Sequence, residues 1–85
     1  METMTLEIIT PEKMVFSGEV RSVTLPGTLG LFEVLENHAP IISSLKAGTL
    51  KFVQPDGNEI AVEICSGFAE VSNNVINVCV EGTKQ

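Results

Sequence analysis

The chain has 85 residues, with 11 acidic against 5 basic side chains, a net charge of −6, and 44% hydrophobic residues. That length allows one small domain, which at this size buries about 60% of the surface its unfolded chain exposes. The hydrophobic fraction excludes a disordered chain, and the acidic balance, with no run of Lys or Arg, excludes a nucleic-acid binder that neutralises phosphates.

Four Phe with neither Tyr nor Trp leave no stacking platform for bases or sugars. No apolar stretch approaches the ~20 residues of a membrane-spanning helix. The opening Met1-Glu2-Thr3-Met4 is not a basic leader followed by an apolar segment, so the expected location is the cytosol.

In chain order, Met4, Leu6 and Ile8 alternate with Thr5, Glu7 and Ile9, the period of a strand with one buried face. Thr10-Pro11-Glu12-Lys13 is the turn that follows. Ser17-Gly18 and Leu25-Pro26-Gly27 flank a second extended segment, Glu19 to Leu25. Gly27-Thr28-Leu29-Gly30 has the glycines of a phosphate cradle, but neither a Gly-Lys-Ser/Thr ending nor a helix follows. It reads as a loop whose glycines take φ values closed to other residues.

Loops normally expose polar side chains at their tips. Here Leu29 stands between two glycines and is expected to contact a partner, while Leu31 and Phe32 fit either the core or a partner surface. Ala39 to Leu45, with Pro40 and a run of β-branched and Ser residues, reads as strand-like or irregular. Gln54-Pro55-Asp56-Gly57-Asn58 and Ser72-Asn73-Asn74 read as hairpin turns. Between and after them, Ile60, Val62 and Ile64, then Ile76, Val78 and Val80, alternate with other residues. Many short strands with regular turns predict one all-β domain over residues 1–85, a sandwich or barrel, with a short, frayed polar tail from about residue 81.

Candidate chemistry is sparse. His38 is the only histidine, and no serine sits in a nucleophile-elbow pattern, so a loop histidine bonded to backbone or to a partner is preferred over a catalytic base. The carboxylates form no calcium-loop pattern and read as a solvated acidic face. Cys65 and Cys79 with one histidine cannot supply the four ligands of structural zinc, and they are expected to be buried, reduced, inert thiols. The expectation is no catalytic residue, no cofactor and no metal.

Taken together, Leu6-Glu7-Ile8-Ile9-Thr10-Pro11-Glu12, Val15-Phe16-Ser17-Gly18, Val23-Thr24-Leu25-Pro26-Gly27, Gly30, Phe32, Val34-Leu35, His38-Ala39-Pro40, Leu45, Gly48 and Ser66-Gly67-Phe68-Ala69-Glu70-Val71 run in the order and spacing of a known family. The chain resembles the N-terminal domain of the epsilon subunit of bacterial F-type ATP synthases. The resemblance implies a flattened two-sheet β-sandwich of about ten short strands. It implies a non-catalytic rotor-stalk subunit on the cytoplasmic side of the bacterial inner membrane, packed on the gamma subunit by one face and on the membrane c-ring by a loop end. The membrane is met only through the c-ring. By that resemblance Gly27, Thr28, Leu29, Gly30 and Leu31 are the expected c-ring loop, and His38, Ala39, Pro40 and Ser43 the expected gamma contact.

This sequence departs from the family pattern at two places. Family members commonly continue into a C-terminal helical hairpin that restrains hydrolysis and in some binds ATP; this chain stops at Gln85, which reads as a short form without an ATP site. Glu33 and Asn37 stand where the family often has glycine. Asn tolerates a left-handed backbone, whereas Glu33 implies a different conformation there. The rival readings are a free-standing β-sandwich that binds a peptide or small ligand, and a small hydrolase built on His38.

Overall fold

Alternation builds the first strand as expected: along β1 (Met4–Ile9), Met4, Leu6 and Ile8 are buried while Thr5 and Ile9 face outward. The computed structural model describes residues 3–81 and 83–84. Ten strands are found there, and the rest are β2 (Met14–Val20), β3 (Ser22–Gly27), β4 (Gly30–Val34), β5 (Ile41–Leu45), β6 (Gly48–Val53), β7 (Glu59–Ile64), β8 (Gly67–Ser72), β9 (Val75–Val80) and β10 (Thr83–Lys84). No helix occurs among the described residues.

The strands pair in the order β10-β7-β6-β3-β5-β8-β9-β1-β2, with β4 on the flank of β3. The two layers join at β3. Ser22–Thr24 pair with Val53–Lys51 of β6, while Gly27 at the far end pairs with Leu45 of β5. One layer is therefore β4, β3, β6, β7 and β10, and the other is β5, β8, β9, β1 and β2. The pairings described are antiparallel except β1 with β9, which run parallel from Thr5↔Val75 to Ile9↔Cys79.

Inward side chains of both layers make one core. Leu6, Ile8, Val20, Val23, Leu25, Leu50, Phe52, Ile76 and Val78 are essentially inaccessible, and no polar or charged side chain among the described residues is buried with them. Each large apolar side chain removed from water contributes about 1.5–3 kcal/mol. Phe16 of β2 lays its ring against Phe52 of β6, centroids 4.3 Å apart, and so links the layers away from β3. Gly18 leaves room for that ring: a Cβ there would sit 3.2 Å from it.

The hairpin turns fall where the sequence places them. At β6–β7, Asn58 N donates to Asp56 Oδ1 at 2.9 Å and Gly57 takes φ +94°. At β8–β9, Asn73 and Asn74 have φ of +54° and +62°, the pair of positive values that a two-residue type I′ turn requires. Other expectations need correction. The segment Gly27–Leu31 is no open loop: Gly27 pairs with Gly30, so only Thr28 and Leu29 turn the chain, and Leu31 already belongs to β4. The tail is not simply frayed: Glu81 N donates to Ser66 O at 3.0 Å, and Thr83 and Lys84 pair with Ile64 and Glu63. Gly82 and Gln85 of that tail lie outside the described residues.

Gly67 opens β8 opposite Val80 of its antiparallel neighbour β9, and a Cβ there would lie 2.2 Å from the Cys79 carbonyl oxygen. Backbone must move to admit it. Gly67→Ala is expected to lower stability by about 1–3 kcal/mol, read as a reduced midpoint of urea unfolding with unchanged slope.

Candidate functional site

The β3–β4 hairpin presents the first surface. At Gly27 a Cβ would come within 2.8 Å of Gly30 O and 3.0 Å of the Phe32 ring, and Gly30 has φ +136°, so both positions demand glycine. The tip is tied to β5: Thr28 N donates to Ser44 O at 3.0 Å, and the two hydroxyl oxygens lie 3.0 Å apart. Strand parity separates the next two apolar residues. Phe32 packs partly buried on the core, whereas Leu31 is 72% exposed. Leu29 at the turn is fully exposed. Glu33 keeps ordinary strand geometry opposite Thr24, and Asn37 takes φ +66°.

The second surface begins in the segment between β4 and β5. His38 N donates to Leu35 O at 3.1 Å, and the His38 ring Nδ1 lies 2.7 Å from Ala39 O. A carbonyl can only accept, so Nδ1 carries the proton of that bond. Ala39 and Pro40 are exposed. Ser43 stands on the inward parity of β5, half-buried, with its hydroxyl donating to Ser44 O at 3.1 Å. Its neighbours Ile42, 75% exposed, and Ser44 point outward instead.

Sequence reasoning missed the row that continues from Ser44. Register places Ser44 beside Phe68, Phe68 beside Cys79, Cys79 beside Ile9, and Ile9 beside Met14. Phe68 and Met14 are each about half exposed, and Ile9 is also exposed. Phe68, Cys79, Ile9 and Pro11 line an apolar groove of about 330 Å³. One signal was available: Ile9 and Phe68 are apolar residues at outward positions of alternating strands.

Both thiols depart from expectation. Cys65 is exposed and Cys79 half-buried. Parity is the reason, since Cys65 follows the buried Ile64 and Cys79 lies between buried Val78 and Val80. Among the described residues no three His, Cys, Asp or Glu side chains converge on a metal-sized site. An ion pair between Lys51 and Glu59, 3.7 Å apart, lies on the exposed surface, where such pairs contribute little. What the molecule offers chemically is apolar surface at two separate places.

The model of the ATP synthase delta/epsilon chain β-sandwich domain matches residues 3–85. An ATP synthase epsilon chain of Chlorobaculum tepidum is 47% identical over 73 residues, covering 86% of this chain and 83% of the relative. One from Nitratiruptor is 45% identical over 82 residues, covering 96% of this chain and 64% of its own length. Among solved structures, a chain of the Euglena gracilis mitochondrial ATP synthase (OSCP, F1 and c-ring) superposes with a TM-score of 0.91 at 20% identity, over 96% of this chain and 52% of that one. A chain of the Tetrahymena thermophila mitochondrial ATP synthase central stalk and c-ring gives 0.81 at 14% identity, over 99% and 67%. These two likenesses establish the shared fold.

The thiols provide a check on the outer face. Under native conditions Ellman's reagent is expected to modify Cys65 at the rate of a free thiol and Cys79 several-fold more slowly, because only Cys79 is recessed in the groove. Comparable rates for Cys65→Ser and Cys79→Ser would show the groove to be open.

Proposed function

The chain belongs to the ATP synthase delta/epsilon chain family, and from that membership we propose that it is a non-catalytic central-stalk subunit linking the gamma subunit to the c-ring and carrying torque between them. It forms one domain within a membrane-associated complex, on the cytoplasmic side of the bacterial inner membrane. The observation that supports this reading best is the fully exposed Leu29 on a hairpin held rigid by Gly27, Gly30 and the Thr28–Ser44 bonds. An apolar side chain is held out in water there at the end of an acidic domain, as an anchor for a partner would be.

The two apolar surfaces divide the two contacts. The c-ring meets Gly27, Thr28, Leu29, Gly30 and Leu31, through apolar contact at the two leucines. Gamma meets His38, Ala39 and Pro40 and the adjoining outer face, where Ile42, Phe68, Ile9 and Met14 stand exposed. Ser43 takes part from beneath, its hydroxyl bonded to the backbone of Ser44. Apolar area at each surface supports binding, and rigidity of the strands beneath supports transmission of torque.

Burying one leucine contributes about 1.5–3 kcal/mol, so Leu29→Asp is expected to weaken attachment to the c-ring roughly ten- to hundred-fold. Coupling of ATP hydrolysis to proton pumping in reconstituted membranes should fall with it, while gamma affinity and domain stability hold. Phe68→Glu should do the reverse and weaken gamma binding first. Full coupling in the double variant Leu29→Asp, Leu31→Asp would overturn the proposed c-ring contact.

A further inference from the structure

The segment from Leu35 to Pro40 runs between β4 and β5 outside the strand ladders. Its bonds His38 N to Leu35 O and His38 Nδ1 to Ala39 O lie within the segment, so they shape it without attaching it to the sandwich. Pro40 has no N–H to contribute. One attachment across the fold comes from the β8–β9 turn. The Asn37 backbone N–H donates to Asn74 Oδ1 at 2.7 Å, and Asn74 Nδ2 donates to Asn37 Oδ1 at 3.4 Å. Asn74 is itself held, because its carbonyl accepts Thr5 N at 2.9 Å from the start of β1.

Asn37, Asn73 and Asn74 all have positive φ, which glycine adopts at least cost. Turn geometry alone would therefore be met by glycine at each. Position 74 is where the side chain does something more, since its amide oxygen receives the backbone of a segment 37 positions away. We propose that Asn74 is a positioning residue: its side-chain amide clamps the Asn37–Pro40 turn onto the β8–β9 hairpin and presets the surface that His38, Ala39 and Pro40 offer to the gamma subunit. This rests on the reading that the segment meets gamma. A surface fixed before encounter loses less conformational freedom on binding, so the clamp raises affinity without touching the partner.

Four variants of the full chain test it, each measured for unfolding midpoint, hydrogen exchange of the Asn37 amide and affinity for gamma. Asn74→Gly suits the φ of +62° and should keep the midpoint close to the original. It should speed exchange at Asn37 and weaken gamma binding about 2- to 10-fold, the range for one net hydrogen bond. Asn74→Asp keeps the acceptor and should restore both protection and affinity. Asn37→Gly should cost less than Asn74→Gly, because it removes the 3.4 Å bond but keeps the 2.7 Å bond from the backbone donor. Ala39→Asp is expected to weaken gamma binding by itself; if it does not, the segment lies outside the interface and the proposal falls with that reading. If Ala39→Asp weakens binding while Asn74→Gly does not, or if Asn74→Asp fails to restore it, the clamp alone is overturned.

Discussion

Ser22–Thr24 of β3 hydrogen-bond to β6, and Gly27 at the other end of the same strand hydrogen-bonds to β5. A strand has only two edges, and β4 occupies the second one from Val23 to Gly27. The remaining edge must therefore be shared lengthwise between two layers, and the layers must diverge where it changes partner. Pro26 suits that point, since it needs no partner for an N–H and its ring is buried. The two inner faces are thereby brought together without a long connection, and a chain of 85 residues closes a two-layer core. Interior polar side chains are dispensed with in the described residues, so the core is specified by apolar shape and register alone.

That economy explains where the interaction surfaces lie. One is the tip of the hairpin that grows from the joint, where Thr28 is bonded to Ser44 of the opposite layer. The other is the outer face of the layer built on β5, β8, β9, β1 and β2. Ser44 belongs to both: it holds the tip and begins the row through Phe68, Cys79 and Ile9. The proposed c-ring and gamma contacts are thus joined by strand pairing rather than by a flexible linker. Backbone ladders of this kind are stiff, which suits a part that transmits force and performs no chemistry.

How much of this was legible in the sequence follows from parity and register. Along β1 and β9 each buried residue was readable, because a single alternation decides it. The same alternation put Cys79 on the outward side; the general tendency of cysteine to be buried gave the opposite expectation, and parity prevailed. Leu31 and Phe32 could not be separated until the start of β4 was known, because one residue of shift exchanges the two faces. Ser43 and Ile42 illustrate the same dependence on β5. Asn37 was readable as left-handed from its chemistry. Of the Phe68–Cys79–Ile9 row only the outward apolar positions of Ile9 and Phe68 were readable; that they meet is set by the register among β8, β9 and β1, which no local pattern encodes. The Asn37–Asn74 bond is likewise a product of tertiary placement.

The parallel pairing of β1 with β9 has a consequence for how the molecule is made. Thr5 and Leu6 pair with Val75 and Ile76, which follow them by 70 positions and are therefore translated well after them. β2 can pair with one edge of β1 early through a local hairpin. The other edge, with its unpaired backbone groups beside Leu6 and Ile8, stays open until β9 has been translated. Strand closure of this range is slow, and an open apolar edge is a site for association with other chains. Closure of this small domain therefore waits on an intramolecular docking step in which β1 receives the much later β9, and the nascent chain needs protection until then.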